Sequence, residues 1–171
     1  MTEQERRDAA ERAAQASVDA RGGATEARAL LRSGRVAVLT TLSQRRPGFP
    51  SASLVPYAIS GRGEPLLLLS EIAQHTRNLE ADPRACLFVY DADAAEKDPR
   101  TAARLAVYGT VALVSAGEEA GARAAYLERN PEGRGLLNLD FRLYALSVEE
   151  AQWVGGFAAA GWITAEQLRA P

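Results

Sequence analysis

From residue 35 to residue 157 this chain alternates short apolar runs with polar breaks marked by glycine, proline or asparagine, and the runs are rich in Val, Leu and Thr. That is the signature of strands. Strands are expected over Arg35–Ser43, Ser51–Ser60, Leu66–Ser70, Arg84–Tyr90, 102–114, Leu139–Val148 and Gln152–Phe157, with turns at Gln44–Gly48 and Gly61–Gly63. Helical spacing and capping signals take over elsewhere. Thr2-x-x-Glu5 reads as a capping box opening an Ala/Glu/Arg-rich segment that Gly22-Gly23 ends. Thr25 is expected to cap a helix over Glu26–Arg32 that closes at Gly34. A short helix follows Ser70 and stops before Asp82-Pro83, Glu118–Arg129 is amphipathic, and Ala165–Leu168 forms a terminal turn of helix. The acidic run Asp91–Arg100 is expected to be a surface loop. About six strands with few helices, in meander order, predict a small antiparallel barrel with helices outside.

The strand over Ser51–Ser60 is apolar on both faces: Val55, Tyr57 and Ile59 follow Ser51 and Ser53 on one side, and Ala52, Leu54, Pro56 and Ala58 lie on the other. One face is the barrel interior, so the other needs a helix or a second subunit to cover it, which makes a homodimer the expected assembly. The N-terminal segment presents mostly alanine as its apolar face, so it has little to bury, and residues 1–24 are set apart as a helical arm from a domain over 25–171.

The 171 residues suffice for one domain with a core, and 47% hydrophobic with 25% charged residues is the range of soluble globular proteins. No apolar run approaches the roughly 18 residues of a membrane span, and the N-terminus has no secretory apolar stretch. The single cysteine, Cys86, lies in an apolar strand and reads as structural. These points favour a cytoplasmic protein with no membrane role. Net charge is −2 without a basic stripe, so nucleic acid is not an expected partner. One lysine (Lys97), one histidine and one cysteine exclude a P-loop and an intrachain His/Cys zinc site, and no metal site is expected.

The chemistry that remains concentrates after Leu66–Ser70. A hydroxyl, an amide, the histidine, a second hydroxyl and an arginine decorate the start of the following helix, which suits an anion such as a phosphate. Ile72, His75, Thr76 and Leu79 fall on one face, aiming His75 at the protein body. His75 is thus either a satisfied, partly buried histidine or part of a phosphate site with Ser70, Thr76 and Arg77. Pro56 belongs at a strand edge or irregularity, and the backbone over Ser53–Pro56 is a candidate to face a ligand. Arg104 shares a face with Ala106, Tyr108 and Thr110, at a strand end in water or on an anion or carbonyl. Trp153, before Gly155-Gly156, is either a core tryptophan ahead of a bend or a planar wall for an aromatic cofactor.

Phe49-Pro50-Ser51-Ala52-Ser53-Leu54-Val55-Pro56-Tyr57, Leu69-Ser70, Ala73-x-His75-Thr76-x-Asn78-Leu79-x-x-Asp82-Pro83-Arg84, Asp98-Pro99 with Arg104-Leu105, Asp140-Phe141-Arg142-Leu143-Tyr144 and Val154-Gly155-Gly156-Phe157 occur in order over roughly residues 25–163. Together they resemble the pyridoxamine 5′-phosphate oxidase-like FMN-binding split barrel, in its haem-utilisation (HugZ-like) branch. The resemblance implies a mainly β (α+β) fold, a six-stranded antiparallel split β-barrel with flanking helices. It also implies a homodimer with FMN at its interface and a flavin-dependent oxidoreductase whose substrate and catalytic residues stay open. The implied cofactor-binding residues are Ser53, Leu54, Val55 and Pro56 toward the ring, Leu69, Ser70, His75, Thr76 and Arg77 toward the phosphate, and Arg104 and Trp153 beside the cofactor. The chain departs from the oxidase pattern, which has an arginine where Ser53 stands, a basic pair where Gln74-His75 stands, and a C-terminal arginine-rich segment where Val154-Gly155-Gly156-Phe157 stands. The departures argue against pyridoxamine phosphate as substrate. Haem-degrading relatives ligate iron through a C-terminal histidine, and no histidine follows His75 here. Two alternatives stand beside the flavin reading: a haem-binding or haem-degrading protein of the same fold, and a cofactor-free dimeric interaction module.

Overall fold

The structure is a computed structural model that describes residues 2–20, 22–156 and 159–170. Seven antiparallel strands form one sheet: β1 (Val36–Leu42), β2 (Pro50–Ile59), β3 (Pro65–Ser70), β4 (Arg84–Tyr90), β5 (Ala103–Leu113), β6 (Phe141–Gly155) and β7 (Ala160–Thr164), in the order β3-β2-β1-β4-β5-β6-β7. A further pairing of β3 with β6 closes the first six into the expected barrel and leaves β7 as an extra edge strand. The path is not a simple meander. β3 meets β2 only over Tyr57–Ile59, and its longer pairing is with β6, five positions from Leu66↔Ala145 to Ser70↔Phe141.

Alternation explains the core. Odd-numbered residues of β1 and β2 (Ala37, Leu39, Val55, Tyr57) point inward and join Leu67, Leu69, Leu87, Val107, Leu146 and Trp153. The run Leu66–Leu69 is buried on both faces, because Leu66 and Leu68 face a second cluster with Ala58, Tyr126 and Leu143 beneath helix α5 (Glu119–Arg129). Burying a leucine or valine contributes about 1.5–3 kcal/mol each, so continuous burial on both faces makes β3 the anchor between the two cores.

Several expectations are corrected. The region read as two strands, 139–148 and 152–157, is one strand of 15 residues, β6. It runs through the polar pair Glu149-Glu150 because a bulge opposite Tyr108/Gly109 absorbs the register shift. At Gly109 a Cβ would stand 2.0 Å from the Ser147 backbone oxygen, so only glycine lets the strands approach there. Phe157, placed in the last expected strand, lies outside the described residues. β7 has no counterpart in the sequence-based assignment. The stretch 91–100 is not all loop: Ala92–Lys97 forms helix α4, N-capped by Asp91, whose Oδ1 accepts from Ala94 N at 3.0 Å. Thr25 is no cap, because helix α2 (Gly23–Ser33) begins two residues earlier after Gly22, which takes a left-handed conformation at φ 69°.

Helix α1 (Glu3–Ala20) opens with the expected capping box: Glu5 N donates to Thr2 Oγ1 and Thr2 N to the Glu5 carboxylate. It lies on the edge of β7, where the Gln15 amide accepts from Trp162 N (2.7 Å) and donates to Trp162 O (3.1 Å), and Val18 is buried. That pairing covers an edge that would otherwise expose free backbone groups. Helix α6 (Ala165–Arg169) closes the chain with a Thr164–Gln167 capping box. No helix among the described residues is long and apolar enough to cross a membrane.

Candidate functional site

The site region lies where β2, β3 and helix α3 (Gln74–Ala81) meet. Tyr57 N–H donates to Arg35 O (3.0 Å), so odd-numbered β2 residues direct their backbone groups toward β1 and even-numbered ones direct theirs away. Over residues 50–56 the side facing away has no partner strand among the described residues. Ala52 and Leu54 present N–H and C=O groups along this open edge, and Pro56 only a carbonyl, which explains why proline is tolerated there. The outer face is open too: Leu54 is 76% exposed, with Val36, Leu42 and Phe49 also exposed. Of the two covers expected for the second face of β2, a helix or a second subunit, helix α5 supplies the first at Ala58, while Leu54 and Pro56 stay exposed.

Asn78 holds α3 against this edge. Its side chain is fully buried, accepts from Gln44 N (3.0 Å) and Gln74 Nε2 (2.9 Å), and donates to Thr41 Oγ1 (2.9 Å), tying the helix to the β1–β2 turn. In the sequence Asn78 stands out only as part of the Ala73-x-His75-Thr76-x-Asn78-Leu79 motif. Its position three residues after His75, beside buried Leu79, is the signal that it faces inward. The helix begins at Gln74, so Ile72 is not on its buried face as expected but sits in the preceding turn, 71% exposed.

Of the predicted site residues, the structure brings Ser53 and His75 together, with His75 Nδ1 3.3 Å from Ser53 Oγ. Nε2 is buried without a hydrogen-bond partner, and burial lowers the pKa of the imidazole from 6.5, favouring its neutral form. Thr76 is buried and donates through Oγ1 to Ser70 O (2.6 Å). The Ser70 hydroxyl donates to the Asp140 carboxylate. That hydrogen bond, with help from the Ile72 backbone N–H and Arg142, holds the Asp140 carboxyl below its ordinary value. Arg77 is exposed on α3, Leu69 and Val55 lie in the barrel core, and Leu54 and Pro56 face outward.

Arg104 and Trp153 stand apart from this group, and among the described residues no hydrogen bond joins either to Ser53 or His75. Arg104 lies on the outer face of β5, its guanidinium donating to Ala102 O (3.1 Å), the carbonyl option of the expectation. Trp153 is 2% exposed and packs against α2, the core option, with the bend following at Gly156 (φ 88°). Cys86 is half-buried and free, and burial raises its pKa, as suits an unreactive thiol. The described residues contain no group of three or more His, Cys, Asp or Glu side chains placed to hold a metal ion.

Residues 18–169 match the family described as CREG, beta-barrel. The chain belongs to that family. Its barrel is the split barrel of the pyridoxamine 5′-phosphate oxidase-like and HugZ-like group, as the motifs imply. It is 33% identical over 135 residues to the non-canonical haem oxygenase HOZ of Arabidopsis thaliana, a chloroplastic protein, covering 79% of this chain but 41% of the relative. A haem-binding protein from Mycobacterium smegmatis superimposes with a TM-score of 0.78 at 36% identity, over 85% of this chain and 59% of that one. HutZ, the haem storage protein of Vibrio cholerae, superimposes with a TM-score of 0.55 at 26% identity, over 69% of this chain and 84% of its own. This member of the CREG family therefore spans less than two thirds of the length of the plant and mycobacterial relatives.

Proposed function

We propose that this chain is a haem-binding split-barrel protein that acts as a homodimer, with haem degradation as its reaction class. The observation that carries the reading is identity above 30%, over about four fifths of the chain, to relatives named for haem. The comparisons thus favour the haem alternative over the FMN-dependent oxidoreductase that the motifs first suggested.

The surface around the open β2 edge has the chemistry for an apolar macrocycle bearing carboxylates. Leu42, Phe49 and Leu54 offer apolar contact, and Arg46, stacked 5.1 Å from the Phe49 ring centre, and Arg77 offer positive charge. Bound haem would supply the iron, and these side chains would hold the macrocycle. The iron does not fit His75 as packed: Nδ1 faces the Ser53 hydroxyl and Nε2 is buried, so neither nitrogen is open to a metal in this arrangement. The dimer reading rests on the outer face of the sheet, where Val36, Leu54, Tyr90, Tyr108 and Trp162 are exposed on five strands and the Tyr108 and Trp162 rings lie 6.1 Å apart. The open edge is the feature that also suits a flavin ring, and the same experiment separates the two cofactors.

Titration of the purified chain with haem and, separately, with FMN tests the proposal. The expected result is a Soret shift at micromolar haem that persists in His75→Ala, with a dimer by light scattering. FMN binding without any haem binding would overturn the haem reading, and a monomer at the titration concentration would overturn the dimer.

A further inference from the structure

Two donors of the β3–α3 turn, the Ser70 hydroxyl and the Glu71 N–H, are taken by Asp140. Ser70↔Phe141 is the last pair of the β3–β6 ladder, so Asp140 is the residue at which the two strands part. From there its backbone oxygen accepts from Glu71 N (2.8 Å), and its carboxylate accepts the Ser70 hydroxyl and lies under the influence of the Ile72 N–H, which helps to hold its pKa down. A hydroxyl and a main-chain N–H converging on one oxygenated anion is how a phosphate is held at such a turn. Here the Ser70 hydroxyl is spent on the Asp140 side chain, 70 residues away, and the Glu71 N–H on the Asp140 backbone oxygen. The neighbouring charge does not invite a second anion: Glu71 lies in the same turn, and Arg142, the nearby cation, is paired with it at 3.5 Å. The helix that follows has no side-chain cap at Ala73 and no basic residue before Arg77.

We propose that Asp140 is a specificity-determining residue: its carboxylate occupies the donors that the turn would otherwise present to a phosphate monoester, and so sets this chain against phosphate-bearing cofactors such as FMN. The inference deepens the reading of haem over FMN and rests on that reading for its biological sense, but its test does not depend on haem. FMN and riboflavin share the ring and the ribityl chain and differ only in the phosphate. A merely structural role for Asp140 would move binding of both flavins together, whereas occupancy of an anion site moves only their ratio.

The experiment uses the full chain and its Asp140→Ala and Asp140→Asn variants. Flavin fluorescence titrations are run with FMN and with riboflavin, inorganic phosphate serves as competitor, and circular dichroism establishes folding. The unaltered chain is expected to bind FMN no more tightly than riboflavin. Asp140→Ala is expected to prefer FMN by about tenfold or more, the worth of a regained charge-assisted hydrogen bond, with phosphate competing. Asp140→Asn removes the charge but keeps an acceptor for Ser70, so it falls between the two and decides the matter if the alanine variant does not fold. A tenfold FMN preference already present in the unaltered chain overturns the proposal. So does a folded variant with no gain in preference, including one that binds neither flavin. Haem titration of the same samples reports on the haem reading separately: loss of haem binding in all three sinks that reading and leaves the flavin ratio to judge Asp140.

Discussion

Replacing Asn78 with alanine tests whether one buried amide sets the geometry of the whole site. The side chain serves three partners that differ in what they lose. Thr41 is 2% exposed, so its hydroxyl loses a donor where water cannot replace it, costing about 1–3 kcal/mol. Gln44 is exposed, so its N–H can turn to water and only the net worth of one hydrogen bond is lost, about 0.5–1.5 kcal/mol. Gln74 is exposed as well and contributes little. The sum is about 2–4 kcal/mol, or a fall in melting temperature of about 4–16 °C for a chain of this size. Chemical denaturation gives the free energy, and amide exchange at Gln44 reports whether the β1–β2 turn has been released. Thr41→Val in the Asn78→Ala background should cost much less than in the unaltered chain, because the hydrogen bond is already lost and the substitution removes the orphaned hydroxyl. A loss below about 1 kcal/mol, with unchanged exchange at Gln44, would falsify the claim that Asn78 holds α3 to the barrel.

Three further outcomes follow from the structure. Burial lowers the pKa of His75, so the unfolded chain takes up this proton more readily than the folded one. Its contribution to stability is complete above the unfolded value of about 6.5 and is lost as pH falls through the lowered folded value. Between about pH 7.5 and 5 the unaltered chain should therefore lose more stability than His75→Gln, and parallel pH profiles would contradict this. Gly109→Ala would press a Cβ into the Ser147 carbonyl, so a destabilisation of at least about 3 kcal/mol is expected in denaturant melts, and a near-neutral result would show that β5 and β6 can part there. Gln15→Ala should cost only about 1 kcal/mol but raise exchange at the Trp162 amide, since it removes both side-chain bonds on the β7 edge. Undisturbed protection at Trp162 would mean the edge is covered by something else.

Elements whose signals are local were legible in the sequence. The strands β1 to β5 announce themselves because side chains alternate every two residues whatever the partner strand, and the capping box at Thr2 is complete within four residues. Asp91 also carried a local signal, an N-cap, but the acidic run around it obscured α4. β6 reads as two strands because its interruption at Glu149-Glu150 looks like a break, and only the register against β5, with Glu149 bulged out opposite Tyr108/Gly109, shows that pairing continues. β7, with Ala160 and Gly161 at its start, has weak strand character and exists because β6 on one side and α1 on the other satisfy it. In the candidate site, the residue types around Ser70 and His75 advertised an anion-binding turn. That His75 would seal its Nε2 against solvent, that Asn78 would anchor the helix, and that Asp140 would arrive from 70 residues away to fill the turn were decided by closure of the barrel. The reason is the reach of each interaction. Periodicity and caps act over a few residues and are written in order along the chain. The partner of a hydroxyl or an imidazole is chosen by which distant strands the hydrophobic core forces together.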